Sequence, residues 1–116
     1  FDAGGTLDAQ VVTSTTHTAL QAQYVAAAAT YAPELNIITS TGVAQNTDCW
    51  YFLQAGVPTL FTWENGVPGY VHYHQSSDVP ANMTNARPLA GGILKMDAAM
   101  LATIAGIGPM FADGFE

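Results

Sequence analysis

Residues 49–63 read Cys49-Trp50-Tyr51-Phe52-Leu53-Gln54-Ala55-Gly56-Val57-Pro58-Thr59-Leu60-Phe61-Thr62-Trp63, and the punctuation inside this stretch decides the fold class. The segment from Cys49 to Ala55 predicts a short helix, with Asp48 placed to cap its first turn. Gly56 supplies the left-handed residue that ends such a helix, and Val57-Pro58 forces the backbone into an extended path. Thr59 to Trp63, rich in β-branched and aromatic residues, then predicts a strand.

Working upstream, Ala9 to Thr13 suits a short strand, and Ser14 to Thr16 offer hydroxyl caps for an Ala-rich helix from His17 to Ala32. The apolar positions Leu20, Tyr24, Ala27 and Tyr31 recur at helical spacing, while Gln21 and Gln23 are expected to face water. Pro33 ends this helix. Leu35 to Thr39, with Ile37-Ile38, reads as a buried strand, and Ser40 to Thr47 has the composition of a loop.

Downstream, the segment through Glu64-Asn65-Gly66 and Pro68-Gly69 is irregular, and Tyr70 to His74 is compatible with either a strand or a loop. From Arg87 to Ile104, the positions Leu89, Ile93, Met96, Met100 and Ile104 trace one face of a terminal covering helix. Alternation of strand and helix predicts an α/β fold: part of a mixed β-sheet flanked by helices.

Composition excludes several functions. The chain has 116 residues, of which 49% are hydrophobic, enough for one small globular domain. Only Arg87 and Lys95 are basic against nine acidic residues, so the formal charge of −7 repels phosphate backbones and anionic membrane surfaces. Nucleic acid and membrane are therefore not expected partners, and no apolar run approaches the roughly 20 residues of a spanning helix. Cys49 is the single cysteine, which excludes an intrachain disulfide and a structural zinc site of the CxxC type. The opening Phe1-Asp2-Ala3-Gly4-Gly5 has neither the basic nor the apolar region of a signal peptide and reads as the interior of a longer chain.

The residue types that carry hydrolytic chemistry are few. Zinc at a hydrolytic site needs imidazole nitrogen and carboxylate oxygen. His72 and His74 occupy alternate positions, so in a strand both would share one face. Asp48 and Asp78 each flank a turn, where a carboxylate commonly holds backbone N–H groups, and both read as structural. Trp50, Tyr51, Phe52, Phe61 and Trp63 read chiefly as core.

The blocks Asn46-Thr47-Asp48-Cys49-Trp50-Tyr51-Phe52-Leu53-Gln54-Ala55-Gly56-Val57-Pro58, Glu64, and His74-Gln75-Ser76-Ser77-Asp78 together resemble the co-catalytic zinc aminopeptidases, metallopeptidase family twenty-eight. The family carries Ser-Asp-His-x-x-Phe-x-x-x-Gly-[Ile/Val]-Pro and, further on, His-Thr-x-x-Asp. The resemblance runs from Asp2 to Ile104 and implies a three-layer zinc-exopeptidase-like sandwich whose N-terminal half is absent, over residues 1–105, followed by an acidic, aromatic tail over 106–116. It assigns zinc ligation to His74 and to Asp2, whose Phe1-Asp2-Ala3 setting matches a strand-ending aspartate of the family. His72 has no matching role. A substrate-pocket role is considered for Glu64 and Asp48, and for Trp63 as an aromatic, although Glu64 reads first as an exposed strand end.

What the resemblance implies about function is a zinc-dependent aminopeptidase, secreted or periplasmic, acting on peptides with a free N-terminus at a site of two zinc ions. The family's His-x-Asp segment, its metal-bridging aspartate and its Glu-Glu pair have no counterpart in this chain. Asp2 and His74 would serve different zinc ions, leaving each with one ligand against the usual three or four, so the chain alone is expected not to hold zinc tightly and to be inactive. Cys49 also stands where the family usually has histidine. The alternative is a non-catalytic, truncated or degenerate peptidase-fold binding module. Either way, a sheet without its first strands exposes an edge, so a missing N-terminal half or self-association is the expected complement.

Overall fold

In the structure, a computed structural model that describes residues 7–42, 45–66 and 69–106, the sheet is organised around its first strand. Strand β1 (Asp8–Thr13) pairs in parallel with β2 (Asn36–Thr41), in a register running from Asp8↔Asn36 to Thr13↔Thr41. On its other side β1 pairs antiparallel with β3 (Phe61–Glu64), with Ala9 opposite Glu64 and Val12 opposite Phe61. The order β2-β1-β3 makes a mixed sheet, and the chain is α/β as its sequence predicts. Having a neighbour on both sides, β1 is the most buried element: Ala9, Val11 and Thr13 are wholly inaccessible.

Helix α1 (Thr18–Tyr31) provides the parallel crossover between β1 and β2. It starts without the expected hydroxyl cap. His17 occupies the N-cap position, and Ser14 spends its hydroxyl on Thr16 Oγ1 (2.7 Å) and His17 Nδ1 (3.1 Å) instead. Gln21, expected in water, is buried; its amide donates to Val11 O (2.8 Å) and Ser40 O (2.9 Å), and so satisfies carbonyls of both parallel strands. One side chain thus fastens the helix across β1 and β2.

Helix α2 (Cys49–Gln54) ends as the sequence predicts. Gly56 has φ +75°, and Val57 N donates to Phe52 O at 2.9 Å. Asp48 does not cap it: the residue has helical backbone angles and makes no side-chain cap bond. Strand β3 begins later than Thr59, because Thr59 O accepts from Thr13 Oγ1 at 2.7 Å, closing the strand end with a side chain rather than a ladder bond. Tyr70 to His74 is a succession of turns, which settles the strand-or-loop alternative.

Helix α3 (Ala86–Ile104) and α1 lie together on the face of the sheet that carries Ala9 and Val11. Leu89, Met96 and Met100 are buried there with Tyr24, Ala28, Ala32 and Leu35, while Ile93 packs at the margin. Ile104, expected on the same face, is 66% exposed at the last residue of the helix. Gly92 is placed by contact: a Cβ there would come within 2.7 Å of the Leu35 side chain. The tail 107–116 and the N-terminal segment 1–6 lie outside the described residues.

A buried polar group joins the three layers of contact. Tyr24 on α1 donates its hydroxyl to Asp97 Oδ1 on α3 (2.5 Å), and Thr62 Oγ1 on β3 lies 3.4 Å from the same hydroxyl. Burial first, and the bond to Asp97 second, hold the Tyr24 hydroxyl well above the ordinary tyrosine range. The sign follows directly: stability from keeping Tyr24 neutral is complete below the unfolded tyrosine pKa of about 10 and is lost as pH rises from there toward the folded value. Tyr24→Phe is expected to lower stability by about 1 kcal/mol at neutral pH and to flatten the alkaline loss above pH ~10. Urea denaturation midpoints measured across pH 8–11 on both proteins check this; identical alkaline slopes would contradict it.

Candidate functional site

Strand β3 delivers the chain to the region where the candidate residues lie. Its last residue, Glu64, is buried at 5% exposure, and Glu64 Oε1 accepts the N–H of Gly66, so the carboxylate tightens the turn that leaves the sheet. Thr62, Trp63 and Glu64 form one wall of a concavity of about 220 Å³, whose other wall is the first turns of α3 at Ala86, Leu89 and Ala90. Trp63 also fastens the opposite face of the sheet. Its Nε1 donates to Gln10 Oε1, Gln10 Nε2 donates to Ser40 Oγ at 3.2 Å, and its ring meets Phe61 at 5.4 Å. Two of the three expected pocket residues therefore line one concavity, but Asp48 is exposed and does not line it.

Beyond β3, the histidine-bearing loop is built from short turns: Tyr73 N donates to Tyr70 O (3.1 Å), Gln75 N to His72 O (2.9 Å) and Asp78 N to Gln75 O (3.0 Å). Tyr70 is 7% exposed and donates its hydroxyl to Asp78 Oδ1 at 2.9 Å. Burial and that bond push the Tyr70 hydroxyl above its ordinary pKa. Asp78 thus holds the loop through the Tyr70 hydroxyl.

His72 and His74 have different neighbours. His72 Nδ1 lies 2.8 Å from Ser77 Oγ, and its ring meets Tyr70 edge-on at 5.4 Å. His74 is exposed, with φ +60°, and stacks on Tyr73 at 4.0 Å between ring centroids. A non-glycine residue in the left-handed region is uncommon, and histidine is among those that enter it more readily. Asp2 lies outside the described residues. Among the described residues no group of three or more His, Cys, Asp or Glu side chains is gathered closely enough to hold a metal ion. The described residues therefore do not by themselves fit a zinc site.

Sequence alone assigns no fastening role to Tyr70, Ser77, Gln10 or Gln21, whose side chains hold this region. Their partners are set by chain reversal and sheet register, which leave no local spacing signal. The chain is thus α/β, with Glu64 at the end of β3 and His74 on the loop beyond it. The family model of peptidase family M28 matches residues 1–94. The chain belongs to peptidase family M28, a family of peptidases that is generally zinc-dependent. No curated protein and no solved structure matches it.

Cys49, standing in the block where the family usually has histidine, is 6% exposed, with Thr47 Oγ1 at 3.2 Å from its Sγ. Thiol reagents react with the exposed thiolate. Native protein is expected to show well under one reactive thiol per chain on the minutes scale with an aromatic disulfide reagent, rising to one after denaturation; full, immediate titration of the native protein would contradict the placement of Cys49.

Proposed function

We propose that this chain is the C-terminal part of the catalytic domain of a zinc-dependent aminopeptidase, residues 1–105 forming the domain and 106–116 a tail, secreted or periplasmic in its host. The observation that carries the proposal is the family match over residues 1–94, which spans Asp2, the Asp48–Pro58 block, Glu64 and His74. Asp2 and His74 are its contribution to metal binding. The remaining ligands and the general base come from polypeptide outside this chain, because the described residues do not assemble a ligand group of their own. The apolar concavity against Trp63 and Glu64 is then the candidate pocket for the first side chain of a peptide with a free N-terminus. The substitution of Cys49 for the family's histidine favours a second reading, a peptidase-fold binding module without activity.

The polypeptide encoded by the whole reading frame separates these readings. Supplied with zinc, it is expected to shorten a peptide one residue at a time from a free N-terminus and to leave the N-acetylated peptide intact. His74→Ala is expected to lower that rate by roughly 100-fold or more, since even residues that merely support a metal ligand are worth about 10–100-fold. Cleavage of free and acetylated peptides alike would overturn the aminopeptidase reading, and no cleavage of either would favour the binding module.

A further inference from the structure

We propose that Tyr70–Asp78 and His72–Ser77 are positioning pairs, two nested rungs that close the loop between β3 and α3 and fix the direction in which His74 presents its imidazole. The proposal rests on the reading of His74 as a functional residue, and adds what holds it.

The need for such rungs follows from the backbone. Backbone bonds along the loop from Gly69 to Val79 span short turns: Gly69 to Gly66, Tyr73 to Tyr70, Gln75 to His72, Asp78 to Gln75 and Val79 to Ser77. Turn bonds shape a chain locally but do not set the separation of its ends, so an exposed loop of this kind samples many closures unless longer-range contacts select one. Here two contacts do so, and they are concentric. The outer rung joins residues eight apart, Tyr70 Oη to Asp78 Oδ1. The inner rung joins residues five apart, His72 Nδ1 to Ser77 Oγ. His74 lies inside both.

The outer rung is also the point at which the loop meets the protein body. Tyr70 is 7% exposed, whereas Val71, on its C-terminal side, is 80% exposed, so the loop leaves the body at the tyrosine. At the far end, Asn82 Nδ2 donates to Ser77 O at 2.8 Å, which ties the inner rung to the 3₁₀ turn Pro80–Asn82 that precedes α3. The loop is thus held at its entry by a buried tyrosine and at its exit by an asparagine, with the rungs between.

The consequence appears at His74. Its φ of +60° lies in the left-handed region, which non-glycine residues occupy uncommonly and which the surroundings of the loop must favour. That backbone angle and the stack on Tyr73, 4.0 Å between ring centroids, together define the placement of the imidazole. The four rung residues act through the loop, and their role is positioning.

The His74 ring protons provide a readout that requires neither metal nor activity, because stacking on Tyr73 displaces their NMR resonances from the positions they take in the urea-unfolded chain. In Tyr70→Phe/Ser77→Ala, which removes a hydroxyl from each rung, the His74 resonances are expected to move to the unfolded positions while the Val11 and Met96 methyl resonances stay in place. If His74 keeps its displaced resonances with both hydroxyls gone, the proposal is wrong. A second comparison guards against loss of fold: Asp78→Asn keeps an acceptor for Tyr70 and is expected to preserve the His74 resonances, whereas Asp78→Ala shifts them. Equal behaviour of the two Asp78 variants would overturn the proposal. Because the spectra are recorded without zinc, failure of His74 as a ligand and failure of the rungs to position it are separate results.

Discussion

Strand β1 is held on both edges, by a parallel neighbour and an antiparallel one, and the burial that follows is the constraint on which the rest of the structure depends. Ala9 and Val11 face α1 and α3, and both Val11 and Met96 above the sheet are completely inaccessible. Burial of side chains of this size stabilises by about 1.5–3 kcal/mol apiece. Because a one-residue slip would turn Ala9 and Val11 to the wrong face, that burial also fixes the register of β2 and β3. Gln21 and Thr13 reinforce it with side-chain bonds to strand carbonyls and to Thr59 O.

The register carries through to the candidate site. With Ala9 opposite Glu64, the end of β3 is set against the start of β1, and Glu64 then closes the turn at Gly66. The loop that follows has no strand to lean on among the described residues, so its form depends on side chains, chiefly the buried Tyr70 hydroxyl on Asp78. A rigid sheet thus gives way, within a few residues, to a loop whose conformation rests on a handful of hydrogen bonds. Surface charge adds little to either part: the Lys95–Glu34 pair at 2.6 Å lowers the Glu34 carboxyl below its ordinary range, but both groups are open to solvent.

The elements of the fold were legible because each has a local cause. Gly56 and Pro58 punctuate α2 and β3, Pro33 follows α1, and the spacing of Leu89, Met96 and Met100 marks the buried face of α3. The misreadings share a different cause. Gln21 looks like a surface residue, and its burial depends on carbonyls from two strands that only the folded chain brings together. Ser14 and Asp48 sit where caps belong, but the backbone places His17 at the first N-cap and gives Asp48 helical angles at the second. In the site, motif blocks identified His74 and Glu64 as residues of interest, and Trp63 stood out as an aromatic, whereas Tyr70 lies outside the blocks and Ser77 falls at a position where the family pattern specifies no residue.

Among the described residues no three His, Cys, Asp or Glu side chains gather closely enough to hold a metal ion, so the chain by itself is expected to bind zinc weakly. Metal affinity depends on how many ligands a folded chain can present together. The most direct measurement is zinc per purified chain, by elemental mass spectrometry after exhaustive dialysis. A content near zero is the predicted result. A content near two zinc ions per chain would contradict the account, because the chain would then hold a complete site from residues given no such role here.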